Sequence, residues 1–438
     1  MVKRITKNKL TYWAFFLSIV IWAFLCIRYY KIGIPIDEII LFSIFLLLSI
    51  SILFASFKFY NSVINPISIY APFLILLSYS FIQLSNTQEG YTTNSILVIL
   101  FSIFSYSFAA TTKLSFKKKD NRKFLTIRTR KLLFRFLFIG AIVTFFLECL
   151  LIGYIPILKM TTENVYADSN ENLIPILHYF ITLLAFFPSW LYIYSKQGII
   201  SNKKFKILLI ITLFILINYL SRQVILLLVL SFFGTYTFYK KISNKLIFRV
   251  MVGLISFFLL ITIIRFQTVT TTAPLTEYFR IVAAIDNQEV TFTEAFLVEY
   301  SSKRFAAFNK IINYADKINF WGFGQYTFKP LTSLLFLDNL GVVSNIHELD
   351  TENAVSTYMA DPYLDFRFIG VILLNFIYGF LSITFYKRIK KGDEDAIVPF
   401  WIITFCLIMG VFINFFNTMM IWLGFLFNRL LIKPSINE

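Results

Sequence analysis

Long apolar runs make up most of this sequence, and a polar interruption from Arg265 to Arg367 separates two groups of them. An apolar stretch of roughly 17 to 25 residues is long enough to cross a lipid bilayer as a helix. The sequence therefore predicts an all-α polytopic membrane protein with about twelve transmembrane helices. Their approximate ranges are 11–28, 39–57, 66–84, 94–112, 132–152, 173–194, 205–220, 223–239, 246–264, 367–386, 397–415 and 418–432.

The overall composition points to the same class of protein. Hydrophobic residues make up 58% of the chain and the mean hydropathy is +0.73, which is too apolar for a soluble protein. The three cysteines, Cys26, Cys149 and Cys406, fall in apolar runs and lack the spacing of a metal site. We interpret them as small buried hydrophobic residues.

The positive charges are distributed unevenly between the two sides of the predicted bundle. With the N-terminus in the cytoplasm, the short inner segments hold 26 Lys and Arg residues and the short outer segments hold four. This bias follows the positive-inside rule and places both termini in the cytoplasm. The net charge of +17 is therefore a signal of topology, and we expect no nucleic-acid partner.

These assignments divide the chain into three parts. Residues 1–264 contain transmembrane helices 1–9, residues 265–366 form one large outward (periplasmic) loop between helices 9 and 10, and residues 367–438 contain helices 10–12. The interruption holds eight Lys and Arg residues against twelve Asp and Glu residues. Its cations lie in a net acidic background, so individual arginines rather than a basic patch are the candidates for binding.

Arg222 lies in the short outer turn between predicted helices 7 and 8, close to the membrane interface. An arginine at the bilayer centre costs roughly 2.5 to 3.5 kcal/mol on insertion scales, and less near the surface. Two interpretations are open. The side chain either reaches the lipid headgroups or faces a protein cavity, where it would pair with a phosphate.

A helical period runs from Leu297 to Lys317 and predicts an amphipathic helix that lies on the membrane surface or against the bundle. Arg304 falls in the middle of its apolar face, whereas Glu299 and Lys303 belong to the opposite side. A buried arginine needs a partner, and either an internal carboxylate or an anionic ligand would serve. The apolar face consists of Leu297, Tyr300, Phe308, Ile311, Ile312 and Ala315.

A polar cluster at the end of the loop supplies candidates for a general base. His347 is one of only two histidines, and we regard it equally as a solvent-exposed residue or as a base. The other histidine, His178, lies inside the sixth predicted span and is interpreted as a packing or hydrogen-bonded residue. No metal is predicted, because the cluster lacks ligand spacing. Its members are His347, Glu348, Asp350, Glu352, Asn353, Asp361, Asp365 and Arg367.

The order of these features resembles the bacterial O-antigen polymerases of the Wzy type and, more distantly, the O-antigen ligases. The family pattern commonly has glycine where this chain has Arg367, and the histidine–asparagine pair of the ligases is replaced here by Glu352-Asn353. The resemblance covers essentially the whole chain. It rests on Ser221-Arg222 at the start of an apolar helix, Arg304 before Gly322-Phe323-Gly324 and Phe328, and Asn353 and Tyr358 before Asp365-Phe366 and Gly370.

The resemblance implies a glycosyltransferase of the bacterial cytoplasmic (inner) membrane. Such an enzyme polymerises undecaprenyl-diphosphate-linked oligosaccharide repeat units of O-antigen or capsule at the outer face of that membrane. The implied partners are the lipid-linked glycan, membrane lipids and a chain-length regulator. We expect no cofactor, because the chain has no glycine-rich loop for ATP or a nucleotide.

The chemistry of that reaction assigns roles to the candidate residues. A diphosphate leaving group needs cations, and the planar guanidinium of arginine suits phosphate oxygens. Arg222 and Arg304 are the first candidates for this role, followed by Arg280 and Arg367. The acceptor hydroxyl needs a general base. The residues that compete for that role are His347, Glu352, Asp361 and Asp365.

Two other functions stay open on the sequence. An O-antigen ligase would share most of these features and differ in its acceptor. A flippase for lipid-linked oligosaccharides, or another secondary transporter, also commonly has about twelve helices, but such a protein should bury charged residues along a central path. The predicted spans here contain few charged residues, which favours the glycosyltransferase.

Overall fold

The computed structural model describes residues 18–31, 33–62, 64–81, 91–112, 125–159, 174, 176–219, 221–240, 291–335 and 356–433, with isolated positions between 246 and 277. Within these ranges the regular structure is helical and no strand occurs, which confirms the all-α prediction for the described part of the chain. The helices are α1 (residues 18–31), α2 (Ile36–Tyr60), α3 (Ala71–Ser80), α4 (Thr93–Thr111), α5 (Ile127–Ile152), α6 (His178–Leu183), α7 (Phe187–Lys196), α8 (Asn202–Asn218), α9 (Arg222–Tyr239), α10 (Phe292–Leu297), α11 (Lys303–Lys317), α12 (Lys329–Leu334), α13 (Ala360–Lys390), α14 (Ile397–Met409) and α15 (Met419–Leu431).

Among the described residues, five helices are long and apolar enough to cross a membrane. They are α2, α4, α5, α9 and α13, and the shorter helices α3 and α15 are also apolar. The protein is therefore a membrane protein. The number of twelve spans and the outward position of the loop stay predictions, and the predicted ninth span, 246–264, lies almost wholly outside the described residues.

The predicted span 173–194 is not one regular helix. It consists of α6, a 3₁₀ turn at Leu184–Phe186, and α7. Pro188 stands in the first turn of α7, where its fixed φ and missing N–H favour the start of a helix. The apolar pattern thus includes both helices but does not reveal the break between them.

Local side-chain caps explain where several helices begin. The side chains of Thr92, Thr126, Ser201 and Ser221 each accept a hydrogen bond from a backbone N–H in the first turn of α4, α5, α8 and α9. Such caps satisfy donors that have no partner within the helix. At the other end of α5, Gly153 takes the left-handed conformation that commonly ends a helix.

The chain divides into two compact units. The first unit comprises Met1–Leu114, Thr276–Ile383 and Cys406–Asn417. Its core contains a buried hydroxyl network in which Tyr358 lies 3.0 Å from Tyr70 and 2.9 Å from Ser102, measured between side-chain oxygens. A buried polar network is stable only when its members are paired, and Asn375 accepts from both Ser102 and Tyr358.

The second unit comprises Ser115–Leu275, Thr384–Phe405 and Thr418–Glu438. Its core is built around fully buried aromatic residues, including Trp190. The indole Nε1 of Trp190 donates to Asn428 at 3.1 Å, so the buried ring keeps a polar partner. Gly234 lies against Trp401, where a Cβ atom would overlap the indole ring. A close approach of α9 to α14 therefore requires glycine at this position.

Candidate functional site

A π-helical turn at Val298–Ser302 joins α10 to α11 and brings Glu299 beside two cations. The Arg304 Nη2 atom donates to Glu299 Oε1 at 2.5 Å, and Lys303 Nζ lies 3.6 Å from Glu299 Oε2. Glu299 is only 6% exposed. Of the two partners that the sequence allowed for Arg304, the structure supplies the internal carboxylate.

The environment of Glu299 leaves a surplus of positive charge. Burial raises the pKa of the Glu299 carboxyl, and the adjacent Arg304 and Lys303 oppose that rise. Because two cations share this one carboxylate, the cluster of Glu299, Lys303 and Arg304 retains one positive charge when all three are ionised.

The π turn also explains why Glu299 is buried although the helical period placed it on the polar side. A π turn differs from regular α-helical spacing by about one residue, which changes the phase of the residues before α11. After the turn the spacing is regular, and Phe308, Ile311, Ile312 and Ala315 are buried. π turns occur frequently at functional sites.

Polar contacts attach α11 and its π turn to the apolar helices of the first unit. The Asn309 Oδ1 atom accepts from the backbone N–H of Thr92 at 2.9 Å and from the Ser95 hydroxyl at 2.6 Å. The Ser301 hydroxyl donates to the Leu76 carbonyl at 2.6 Å. These bonds fix Arg304 relative to α3 and α4.

Asp316, near the end of α11, is the centre of a second ionic cluster. It accepts from Arg367 Nη1 at 2.5 Å, from the Tyr363 hydroxyl at 2.7 Å and from the Asn94 amide at 2.7 Å. The Arg367 guanidinium also donates to the Ala315 carbonyl at 2.8 Å. Arg367 is thus neutralised by a carboxylate and links α11 to α13.

The backbone of Arg367 is unusual for a residue with a side chain. Its φ and ψ angles are 54° and −145°, and it forms a kink inside α13 together with Phe366. Glycine adopts positive φ without the steric cost that a Cβ atom imposes. The glycine that the family pattern commonly has at this position is explained by that conformation.

Asp365 holds a glycine-containing turn against the start of α13. Its buried carboxylate accepts from the backbone N–H groups of Tyr326 at 3.2 Å and Thr327 at 2.6 Å. The backbone N–H of Gly322 donates to the Leu364 carbonyl at 2.9 Å. A Cβ atom on Gly322 would overlap Asp365 Oδ1, so the close approach requires glycine.

Asp361 is also buried and has two amide donors. Asn414 and Asn417 donate to its Oδ2 atom at 2.7 Å and 2.6 Å. Because Asn414 and Asn417 lie in the connection after α14, Asp361 fastens that connection to α13. Both of the described carboxylates that competed for the role of general base therefore already bind protein groups.

Arg222 belongs to the second unit and is the first residue of α9. It is half-buried, and the preceding Ser221 caps the helix. The other described candidates belong to the first unit, where they lie in the separate clusters described above. They are Arg304, Asp361, Asp365 and Arg367. The other predicted site residues, Arg280, His347 and Glu352, lie outside the described residues.

One polar pair in the second unit was not anticipated as a site. The Nδ1 atom of His178 lies 2.9 Å and 3.1 Å from the two carboxylate oxygens of Glu148. Both residues are 7% exposed. The sequence offered a signal, because each is an ionisable residue inside a predicted span, a location that is costly and frequently functional. Periodicity alone could not show that the two side chains meet.

The described structure is that of an all-helical integral membrane protein. Five of its helices are long and apolar enough to cross a bilayer, and arginines and carboxylates lie at helix ends and on the segments between helices. The chain belongs to the O-antigen polymerase family, whose family model matches residues 69–423. It is therefore a glycosyltransferase-like membrane enzyme of lipopolysaccharide biosynthesis. Searches of curated proteins and of solved structures found no match.

Proposed function

We propose that the protein joins undecaprenyl-diphosphate-linked oligosaccharide repeat units into O-antigen at the outer face of the bacterial inner membrane. The growing glycan moves from its carrier lipid to the non-reducing end of the next lipid-linked unit. The observation that carries this proposal is the family match over residues 69–423, which includes both Arg222 and Arg304. The charge bias of the sequence supports an orientation with both termini in the cytoplasm.

The reaction replaces one bond at the anomeric carbon by another. The acceptor hydroxyl oxygen forms a bond to that carbon, and the bond from the carbon to the diphosphate oxygen breaks with its electron pair. Negative charge develops on the departing diphosphate, and the hydroxyl proton passes to a base. The enzyme therefore needs a fixed cation near the diphosphate and a proton acceptor near the hydroxyl.

Two of the described cation sites suit the diphosphate best. Arg222 is half-buried at the start of α9, and a helix N-terminus adds partial positive charge. The cluster of Glu299, Lys303 and Arg304 keeps one positive charge in surplus. Asp316 and the Ala315 carbonyl bind the guanidinium of Arg367 and join it to α11. We assign Arg367 a positioning role.

An exposed aromatic surface lies on the turn that Asp365 anchors. Trp321, Phe323 and Phe328 are 42%, 79% and 41% exposed. Aromatic faces pack well against apolar groups and against the C–H faces of sugars. We assign this surface to the glycan or to the lipid chain of the substrate, and the Arg304 cluster to its diphosphate.

Loss of either principal arginine tests the proposal. Arg222→Ala and Arg304→Ala should each lower polymer formation about 100- to 1000-fold, because a well-placed stabilising donor contributes about that factor to the rate. The measurement is the glycan ladder on a lipopolysaccharide gel, from cells that carry each variant in place of the native gene. Arg429→Ala, at an exposed arginine in the last turn of α15, is the matched control and should keep the ladder.

The deletion phenotype separates the proposed function from its alternatives. A cell without a polymerase should attach single repeat units to the lipid core. No repeat unit at the surface would indicate a flippase, and polymer left on the carrier lipid would indicate a ligase. Either of those two outcomes, or a normal ladder in both arginine variants at normal protein levels, would contradict the proposal.

A further inference from the structure

The pair formed by Glu148 and His178 has the arrangement of an oriented base. Glu148 lies near the end of α5, and His178 is the first residue of α6. The carboxylate is held in place by the backbone N–H of Ile174, which donates to Glu148 Oε1 at 3.3 Å. An ionised carboxylate can only accept hydrogen bonds, so the Nδ1 atom of a neutral His178 carries the proton when Glu148 is ionised.

That tautomer leaves the second ring nitrogen with a lone pair. The Nε2 atom of His178 is buried, and it finds no hydrogen-bond partner among the residues that the structure describes. Buried polar atoms in folded proteins are nearly always paired. What distinguishes this atom is its place at the end of a carboxylate–histidine pair, where a hydroxyl group that reaches it on substrate binding would supply the donor.

The pair lies beside the turn that leads to Arg222. The ring of Tyr219, which follows α8, has its centroid 4.9 Å from that of the His178 ring. Asn218 holds the same turn, because its Oδ1 atom accepts from the backbone N–H of Ile157 at 3.0 Å. Arg222 is only three residues beyond Tyr219 and belongs to the same unit. The ring of His178 thus packs on the residue that follows α8, and Arg222 begins the next helix, α9.

We propose that His178, oriented by Glu148, is the general base that removes the proton from the acceptor hydroxyl. The proton moves from that hydroxyl to Nε2 while the oxygen bonds to the anomeric carbon and the diphosphate departs. The negative charge of Glu148 stabilises the imidazolium that forms, which then returns its proton to water. This assignment rests on the proposed polymerase function. It names a residue for the role of the base, since the carboxylates of Asp361 and Asp365 already bind protein donors.

The test measures glycan transfer by the full-length protein in lipid nanodiscs, with purified undecaprenyl-diphosphate-linked repeat units as substrate. His178→Gln keeps a side chain that can donate to Glu148 but lacks a basic nitrogen. It should lower kcat about 100-fold or more at an unchanged KM. A kcat within about threefold of the native value would overturn the assignment, since that change is far below a general-base contribution.

Two further variants keep the test decisive if His178→Gln does not accumulate. Glu148→Gln preserves size but no longer fixes the tautomer, so kcat should fall about 10-fold or more. His178→Ala should regain part of its activity when imidazole is added, which a purely structural histidine would not show. An unchanged kcat in Glu148→Gln, or no rescue by imidazole in an assembled His178→Ala protein, would count against the base.

Asn428→Ala is the matched control for a lost buried contact in the same unit. Asn428 accepts from Trp190 and donates to the Asp395 carbonyl at 2.9 Å. This variant should be less stable yet keep its turnover per folded molecule. Failure of the base assignment is distinguishable from failure of the proposed function. A native enzyme that makes no polymer refutes the function, whereas loss of activity in Arg222→Ala but not in His178→Gln refutes the base alone.

Discussion

Asp361 and Asp365 in the first unit differ from the Glu148–His178 pair in the second, because only the pair has a buried side-chain polar atom without a hydrogen-bond partner among the described residues. In the first unit, Asp361 binds two asparagine amides and Asp365 binds two backbone N–H groups. In the second unit, Glu148 binds His178, whose Nε2 atom has no partner among the described residues. The carboxylates of Asp361 and Asp365 hold chain segments together, whereas we propose that the Nε2 atom of His178 accepts a hydrogen bond from the substrate.

Asp361 and Asp365 have structural roles, whereas we assign Glu148 and His178 a role in the reaction. All four are ionisable residues, and the sequence alone does not separate the two roles. A general base must come within hydrogen-bonding distance of the proton that it removes. Asp361 and Asp365 would have to give up protein donors to do so, and those donors would then be buried without partners. His178 loses nothing when a hydroxyl approaches its Nε2 atom. The two regions should therefore respond differently to substitution.

The largest effect on folding is expected from Asp365→Ala. This change leaves the backbone N–H groups of Tyr326 and Thr327 without their acceptor, and each unpaired buried group costs about 1 to 3 kcal/mol. The free energy of unfolding, measured in mixed micelles, should fall by about 2 to 4 kcal/mol. Asp365→Asn should cost less, because its amide oxygen still accepts one bond. Equal stability of the alanine variant and the native protein would contradict a structural role.

A smaller effect is expected at Arg367, where side chain and backbone can be examined separately. Arg367→Ala and Arg367→Gly both lose the ion pair with Asp316, but only glycine relieves the positive φ angle. The glycine variant should be more stable than the alanine variant by about 1 kcal/mol. The same unfolding measurement decides this. Equal stability of the Arg367→Ala and Arg367→Gly variants would show that the positive φ angle has no steric cost at this position.

The sequence predicts much of the fold because apolar length and periodicity are local properties. It predicts the all-α class, and the apolar face of α11 after the π turn agrees with the spacing of Phe308, Ile311 and Ala315. It does not predict the π turn, which buries Glu299, or the break before α7. Both depend on packing against other parts of the chain, which a local period does not contain.

The candidate site was less predictable than the fold. Arg304 was recognised as a buried cation that needs a partner, but the period placed its partner Glu299 on the opposite side of the helix. The pairs Asp316–Arg367 and Glu148–His178 join residues from different helices. No spacing rule connects such residues, because the tertiary packing of two helices determines whether their side chains meet. The positive φ angle of Arg367 could not be predicted from the sequence either, because residues with a Cβ atom rarely adopt this conformation.

The most direct test of this account compares His178→Gln with Asp361→Asn in one assay. The measurement is the rate of glycan transfer per folded molecule in nanodiscs, with the folded fraction determined for each sample. We predict that His178→Gln loses about 100-fold or more, whereas Asp361→Asn stays within about threefold of the native rate. The reverse result, with transfer lost in Asp361→Asn and retained in His178→Gln, would contradict the assignment of the base.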